Sequence, residues 1–213
     1  MGIDELRGAV RGTVFLPGDE GFDQAARPWN VAVTQSVAAV VQVADADDIA
    51  GVVRYARRAG RTVVTQPTGH GATGDIENAI LVRTGKLDSI AIDPDRRLAR
   101  VGSGAQWGRV QSAAAAHGLS GLAGSNPVVG VTGYTLGGGF GWLARAHGWA
   151  ANAVRAIDLV DAAGERTHPW PRCSTSRSAG SEAHWPRAAR TTARAARSPS
   201  PTPSICSASA CRT

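Results

Sequence analysis

Two stretches of this chain hold residues whose types and spacing suit chemistry. The first is the loop 67–75, PTGHGATGD, in which Gly69, Gly71 and Gly74 surround His70. Closely spaced glycines let backbone N–H groups approach an anion such as a phosphate. The second is the run Gly137-Gly138-Gly139-Phe140-Gly141, which can do the same. Neither fits a nucleotide fingerprint. The Gly-x-Gly-x-x-Gly pattern fails because position 142 is Trp142, and Gly85-Lys86 is followed by Leu87 with no upstream glycine, which excludes a P-loop. Each stretch alone reads two ways, as an anion cradle or as a tight turn between packed strands. In the second reading His70 is an ordinary loop histidine. Tyr134 and His147 are further candidates, but nothing pairs either with an acid in sequence. Both read as structural, and no catalytic base is assigned.

The flanking sequence says what must position these loops. Residues 37–43, VAAVVQV, are apolar and rich in valine, as a strand requires. Asp45 suits a helix N-cap, with Asp47 and Asp48 in the first turn. Ile49, Val52, Val53 and Ala56 then recur at helical spacing, and Gly60 ends the helix. Residues 61–66 are the next strand, so 37–66 predict a parallel pair with a right-handed crossover. The His70 loop leaves that second strand. Further strands are expected at 79–83, 89–93 and 96–102, the last two joined at Pro94-Asp95. Trp107, Val110 and Ala114 mark a second helix ending at Gly118. Residues 121–141 are nearly free of charge and too rich in glycine for a helix. Residues 154–165 read as a strand and then a turn at Ala162–Gly164. The fold class is α+β, in two lobes split near 94–98.

Composition sets outer limits. The chain has 213 residues, is 43% apolar and 19% charged, and holds 26 Gly. That is enough for one domain with a buried core. Its net charge of +6 is unevenly placed. Residues 169–213 hold seven arginines and one acid, Glu182, so that stretch carries the whole excess and residues 1–168 are neutral. A nucleic-acid partner is therefore not expected, since the footprint would be basic residues clustered on a folded surface. No apolar run is long enough to cross a membrane. Asp4 and Glu5 do not suit a signal peptide, and Leu6 does not suit a myristoylation site, so a cytoplasmic protein is expected. Residues 169–213 also carry all three cysteines (Cys173, Cys206, Cys211) and have Ile205 as their one large aliphatic residue. Such a segment is expected to be disordered. The cysteines have no metal-ligand spacing, and no metal is expected.

Taken together, the motifs resemble the FAD-binding oxidoreductases of the berberine-bridge-enzyme type, whose PCMH-type flavin domain is shared with vanillyl-alcohol oxidase. The resemblance runs from Arg27 to Arg166. It includes Arg27-Pro28-Trp29-Asn30, then VVQVADADDIAGVVRYARRAG, then TGHGA, then DPDRRLARVGSGAQWGRV. Its longest motif is SNPVVGVTGYTLGGGFGWLARAHGWAANAV. The implied organisation is an N-terminal segment at 1–28, the FAD-binding domain at 29–168 and a separate tail at 169–213. The resemblance implies that Gln66, Pro67, Thr68, Gly69, His70, Gly71, Ala72 and Thr73 wrap the FAD pyrophosphate. Gly130, Gly133, Tyr134, Gly138, Gly139 and Gly141 would line the isoalloxazine and diphosphate, with Ser125, Asn126 and Val129 as further cofactor-binding positions. Ile157 would make a backbone contact toward the adenine. In the family a histidine at the position of His70 bonds covalently to the flavin 8α carbon. Many members add a cysteine tether at the position of Asn126, and here that position has no thiol. The implied activity is oxidation of an alcohol or similar small molecule by hydride transfer to flavin, with dioxygen reoxidising it.

Two departures stand out. Gln66-Pro67 replaces the Arg-Gly that many members show, which removes one phosphate charge. After Thr167 the family's Leu-Phe-Trp and Gly-Asn-Phe-Gly motifs and its substrate domain are not met. Residues 169–213 instead have the composition of a GC-rich gene read out of frame, so a frame shift or truncation near 167–172 is expected.

Overall fold

The computed structural model describes residues 2–167 and the strand Ala183–His184. A four-stranded sheet forms the first lobe, from β1 (Thr13–Phe15), β2 (Ala39–Gln42), β3 (Val63–Thr65) and β4 (Ile80–Arg83), in the order β1-β2-β4-β3. Strands β2 and β3 are each parallel to β4, and β1 is antiparallel to β2. The expected parallel pair of β2 and β3 is therefore not adjacent. All four residues of β4 are buried, and the most completely buried strand takes the middle of the parallel set.

The sheet has two covered faces, and side-chain alternation assigns them. Ala39, Val41, Val43, Ile80 and Val82 pack on α2 (Ala46–Ala59) through Val52, Tyr55 and Ala56. Val40 and Leu81 point the other way, onto Ala25 and Ala26 of α1 (Phe22–Ala26). Helix α2 has the expected ends. The Asp45 carboxylate accepts from the N–H groups of Asp47 and Asp48, and Gly60 closes it in the left-handed region. Residues 3–26, expected outside the domain, are part of it: β1 extends the sheet, and Leu6, fully buried, lies in the core under α2. The Asp48 carboxylate fastens this segment by accepting from Arg11 and Gly12.

The second lobe is built on the antiparallel strands β5 (Ile90–Asp93) and β6 (Leu98–Val101). Its core gathers Ala99, Trp107, Val110, Ala114, Leu119 and Val131 against α3 (Trp107–Ala115). The division between lobes falls between Arg83 and Ile90, not at 94–98. Residues 94–97 are instead the hairpin turn inside this sheet, closed by Arg97 at φ 55°. Residues 121–141, expected to be non-helical, contain α4 (Val131–Leu136). A short α5 (Ala144–His147) follows, and then a two-stranded hairpin of β7 (Leu159–Val160) and β8 (Arg166–Thr167). The strand expected from Val154 thus begins only at Leu159. The expected disorder, frame shift and free cysteines at 169–213 lie outside the described residues. The exception is β9 (Ala183–His184), whose backbone pairs with β6.

Candidate cofactor site

The loop that leaves β3 and the start of α4 meet at one cavity of about 360 Å³. The loop wall is Thr65 to Gly71, and the facing wall is Val129, Gly130, Gly133 and Tyr134. The two walls nearly touch. A Cβ on Gly130 would stand 3.6 Å from the Pro67 Cβ and 4.0 Å from the Thr68 methyl. Gly133 faces open space. Among the described residues, the backbone N–H groups of Thr68, Gly69, His70 and Gly71 have no acceptor in the chain. Gly69 is required where it stands. Its φ is +81°, and a Cβ there would meet the Pro28 Cβ at 2.9 Å.

His70 is held from two directions. Its Nδ1 lies 2.8 Å from the Thr68 hydroxyl, and its ring stacks on Trp29 with centroids 4.1 Å apart and 15° between planes. Its Nε2 is buried without a partner. Burial lowers its pKa below the ordinary value of 6.5, so the ring is neutral at physiological pH. Among the described residues Tyr134 is the other titratable group lining this cavity. Its hydroxyl is also buried without a partner, and burial raises its pKa above 10.0. It therefore stays protonated at neutral pH. Its ring meets Trp107 edge-on at 5.6 Å.

The structure brings together ten of the residues singled out in the sequence: Gln66, Pro67, Thr68, Gly69, His70, Gly71, Val129, Gly130, Gly133 and Tyr134. Ala72 and Thr73 continue the loop outward from the cavity, and the Thr73 carbonyl accepts from Gln35. Ser125 is exposed, and the Asn126 carboxamide is engaged in its own turn, accepting from Val128 N–H. Gly138, Gly139 and Gly141 do not line the cavity. An added Cβ would strike Trp149, Ala150 and the Ala123 carbonyl respectively, so these glycines permit close packing behind α4. Ile157 lines a second cavity of about 750 Å³, on the opposite side of α4. Val131, Thr132 and Thr135 face that cavity, while Gly130, Gly133 and Tyr134 face the first, so α4 is the wall between them. His147 is exposed on α5, away from both.

An FAD binding domain family model matches residues 37–168. The chain belongs to this family. It is 33% identical over 159 residues to (R)-6-hydroxynicotine oxidase of Paenarthrobacter nicotinovorans, covering 74% of this chain and 35% of that protein. The xylooligosaccharide oxidase of Myceliophthora thermophila superposes with a TM-score of 0.73 at 26% identity, over 80% of this chain and 37% of that one. A berberine-bridge-enzyme-like protein of Physcomitrella patens shares the fold, with a TM-score of 0.74 at 21% identity over 81% of this chain and 38% of that one. The chain spans about a third of the length of the curated relatives it matches.

The flavin-domain resemblance read from 27–166 is thus the family found, and FAD is its cofactor. The first cavity suits that group on observations of its own. Four unpartnered amides are a site for a pyrophosphate, and an orphaned imidazole nitrogen points to a group that would meet it. Two contributors to this site were not singled out as site residues from sequence. Trp29 stood only as part of a motif, and nothing in the spacing connects it to His70. Arg83 ends an otherwise apolar strand, and an arginine in the middle of a parallel set was a signal that it is buried for a reason.

Among the described residues no helix is long and apolar enough to cross a membrane.

Proposed function

We propose that this chain is the flavin-binding part of an FAD-dependent oxidoreductase. The observation that carries the reading is the meeting of two glycine-rich segments, 66–71 and 129–134, around one cavity, with His70 Nε2 buried in want of a partner. The loop amides would hold the pyrophosphate, and His70 would tether the flavin through Nε2, since Thr68 engages Nδ1. Nε2 would replace a hydrogen of the flavin 8α methyl, the two electrons released reducing the flavin, which dioxygen reoxidises. When bound, FAD would supply the redox chemistry, taking a hydride from a small-molecule alcohol or amine, with dioxygen then reoxidising the reduced flavin and leaving as hydrogen peroxide. The names of the relatives, a hydroxynicotine oxidase and a xylooligosaccharide oxidase, support that substrate range. The protein's own part is positioning: Trp29 and Thr68 orient His70, and Gly130 and Gly133 leave room beside it.

A second reading is a flavin-binding chain without turnover. One observation favours it: among the described residues no carboxylate lines the cavity, and the titratable groups there are a neutral histidine and a protonated tyrosine. Neither is arranged as a base beside an acid.

The test is a visible spectrum of the purified chain before and after acid precipitation. Yellow colour retained in the pellet, and lost in His70→Ala, is the expected result. Colour released to the supernatant would keep the flavin and remove the tether. A chain that stays colourless with added FAD would overturn the reading.

A further inference from the structure

Arg83 is the C-terminal residue of β4, the middle strand, and is 9% exposed. Strand alternation turns it to the same face as Leu81, beneath the loop that leaves β3. Its guanidinium donates to five oxygens. Three are backbone carbonyls at the end of α1: Ala25 and Ala26, each at 2.9 Å, and Arg27 at 2.8 Å. The other two belong to Gln66, the carbonyl at 3.4 Å and Oε1 at 3.5 Å. Among the described residues no carboxylate pairs with it.

A buried cation held only by neutral oxygens keeps its full charge and exports its field to whatever lies across the wall. What lies across the wall is the first cavity, because Gln66 is both the acceptor of Arg83 and a lining residue. The loop itself offers only amides, and Gln66-Pro67 contributes no charge there. We propose that Arg83 supplies the positive charge that a bound pyrophosphate meets at residues 66–71, acting from beneath the loop through Gln66 without touching the phosphate. This inference rests on the FAD reading above and assigns a charge-providing residue within it. Arg83 is a positioning residue in this role, and the dianion of the cofactor completes the ion pair that the free chain lacks.

Two substitutions separate charge from scaffolding. Arg83→Lys keeps the charge and loses the planar fork of donors, while Arg83→Gln loses both. Both forfeit the carbonyl contacts to α1, so both lower the thermal midpoint. FAD affinity, read by quenching of flavin fluorescence on titration, is expected to fall about tenfold or more in Arg83→Gln and less than about threefold in Arg83→Lys. Equal weakening in the two would assign Arg83 to scaffolding alone and overturn the proposal, leaving the FAD reading intact. The unsubstituted chain gives an independent reading should Arg83→Gln fail to fold. A buried charge is poorly screened, so FAD affinity is expected to change less than about threefold between 0.05 and 0.5 M salt. A fall of about tenfold would place the charge on exposed arginines and overturn the proposal. An unsubstituted chain that leaves FAD fluorescence unchanged would overturn the cofactor reading, and this inference with it.

Discussion

The indole of Trp29 lies face to face with the imidazole of His70, 4.1 Å between centroids and 15° from parallel. Forty-one residues of sequence separate them, yet Trp29 N–H also donates to the Thr68 carbonyl at 3.0 Å. The N-terminal segment therefore clamps the His70 loop twice, once by ring and once by backbone. Trp29 remains 56% exposed, so its stack is an open lid on the imidazole. Trp29→Ala removes a ring pair worth about 1 kcal/mol and frees the histidine to rotate. The expected result is a several-fold slower rise of acid-stable flavin after FAD is added, with Thr68→Val acting in the same direction.

His70 gives stability a pH dependence of known sign. Its folded pKa lies below the unfolded 6.5 because burial disfavours the charged ring. Between the two values the unfolded chain binds the extra proton, so stability rises with pH through that window and levels above 6.5. Acidification from pH 7 toward 5 is expected to weaken the fold, and His70→Gln should flatten that dependence. Urea midpoints at a series of pH values measure it. An unchanged slope in His70→Gln would assign the dependence to another group.

Asp48 is the main polar fastening of the N-terminal segment. It is 2% exposed and accepts from Arg11, Gly12 and Ala44 N–H at 2.7, 2.9 and 2.8 Å. Desolvation pushes its pKa up, but the three backbone donors together outweigh it, and the net shift is downward. Its contribution is present above the unfolded value of 3.8 and is lost as pH falls toward the lower folded value. Asp48→Ala strands three donors and is expected to cost about 2–4 kcal/mol in chemical denaturation. A loss under about 0.5 kcal/mol would show that water replaces the carboxylate freely.

Gly69 is expected to tolerate no side chain. Alanine there must hold φ at +81° and push Pro28 away from 2.9 Å. A cost of about 1–3 kcal/mol is expected, with a larger fractional loss of FAD affinity than of stability, because the distorted loop lines the cavity proposed to hold the cofactor. Gly71, where a Cβ meets nothing within 4 Å, is the matched control.

Tyr134→Phe is expected to be mild. The hydroxyl it removes has no partner, and the edge-on contact with Trp107 survives. Stability should hold or rise by up to about 1 kcal/mol, and FAD affinity should stay within about threefold. A large loss of affinity would make the hydroxyl a direct contact of the cofactor.

Much of the fold was legible along the chain. Asp45 and Gly60 bracket α2, and the valines of 37–43 mark β2, because caps and apolar period act within a few residues. The loop at His70 was legible for the same reason: glycine spacing is a local statement about backbone freedom. Helix α4 was not. Gly130, Gly133 and Gly137 argued against a helix by propensity, but the packing of Val131 into the second core and Tyr134 on Trp107 overrides so weak a preference. Gly138, Gly139 and Gly141, singled out in the sequence for the cofactor, also leave room for Trp149, Ala150 and Ala123, a packing relation that glycine spacing does not reveal.

By itself the sequence determined the α+β class, both ends of α2 and the position of β2, and the glycine-rich loop around His70. Each of these depends on neighbours within one turn or one strand. Which segments face each other was decided only by the tertiary structure. It set β4 between β2 and β3, brought Gly130 against Pro67, laid Trp29 on His70 and put Arg83 under Gln66. Those contacts join residues between 17 and 63 positions apart. They come from burying the two faces of one sheet at once, a condition that no local window of sequence contains.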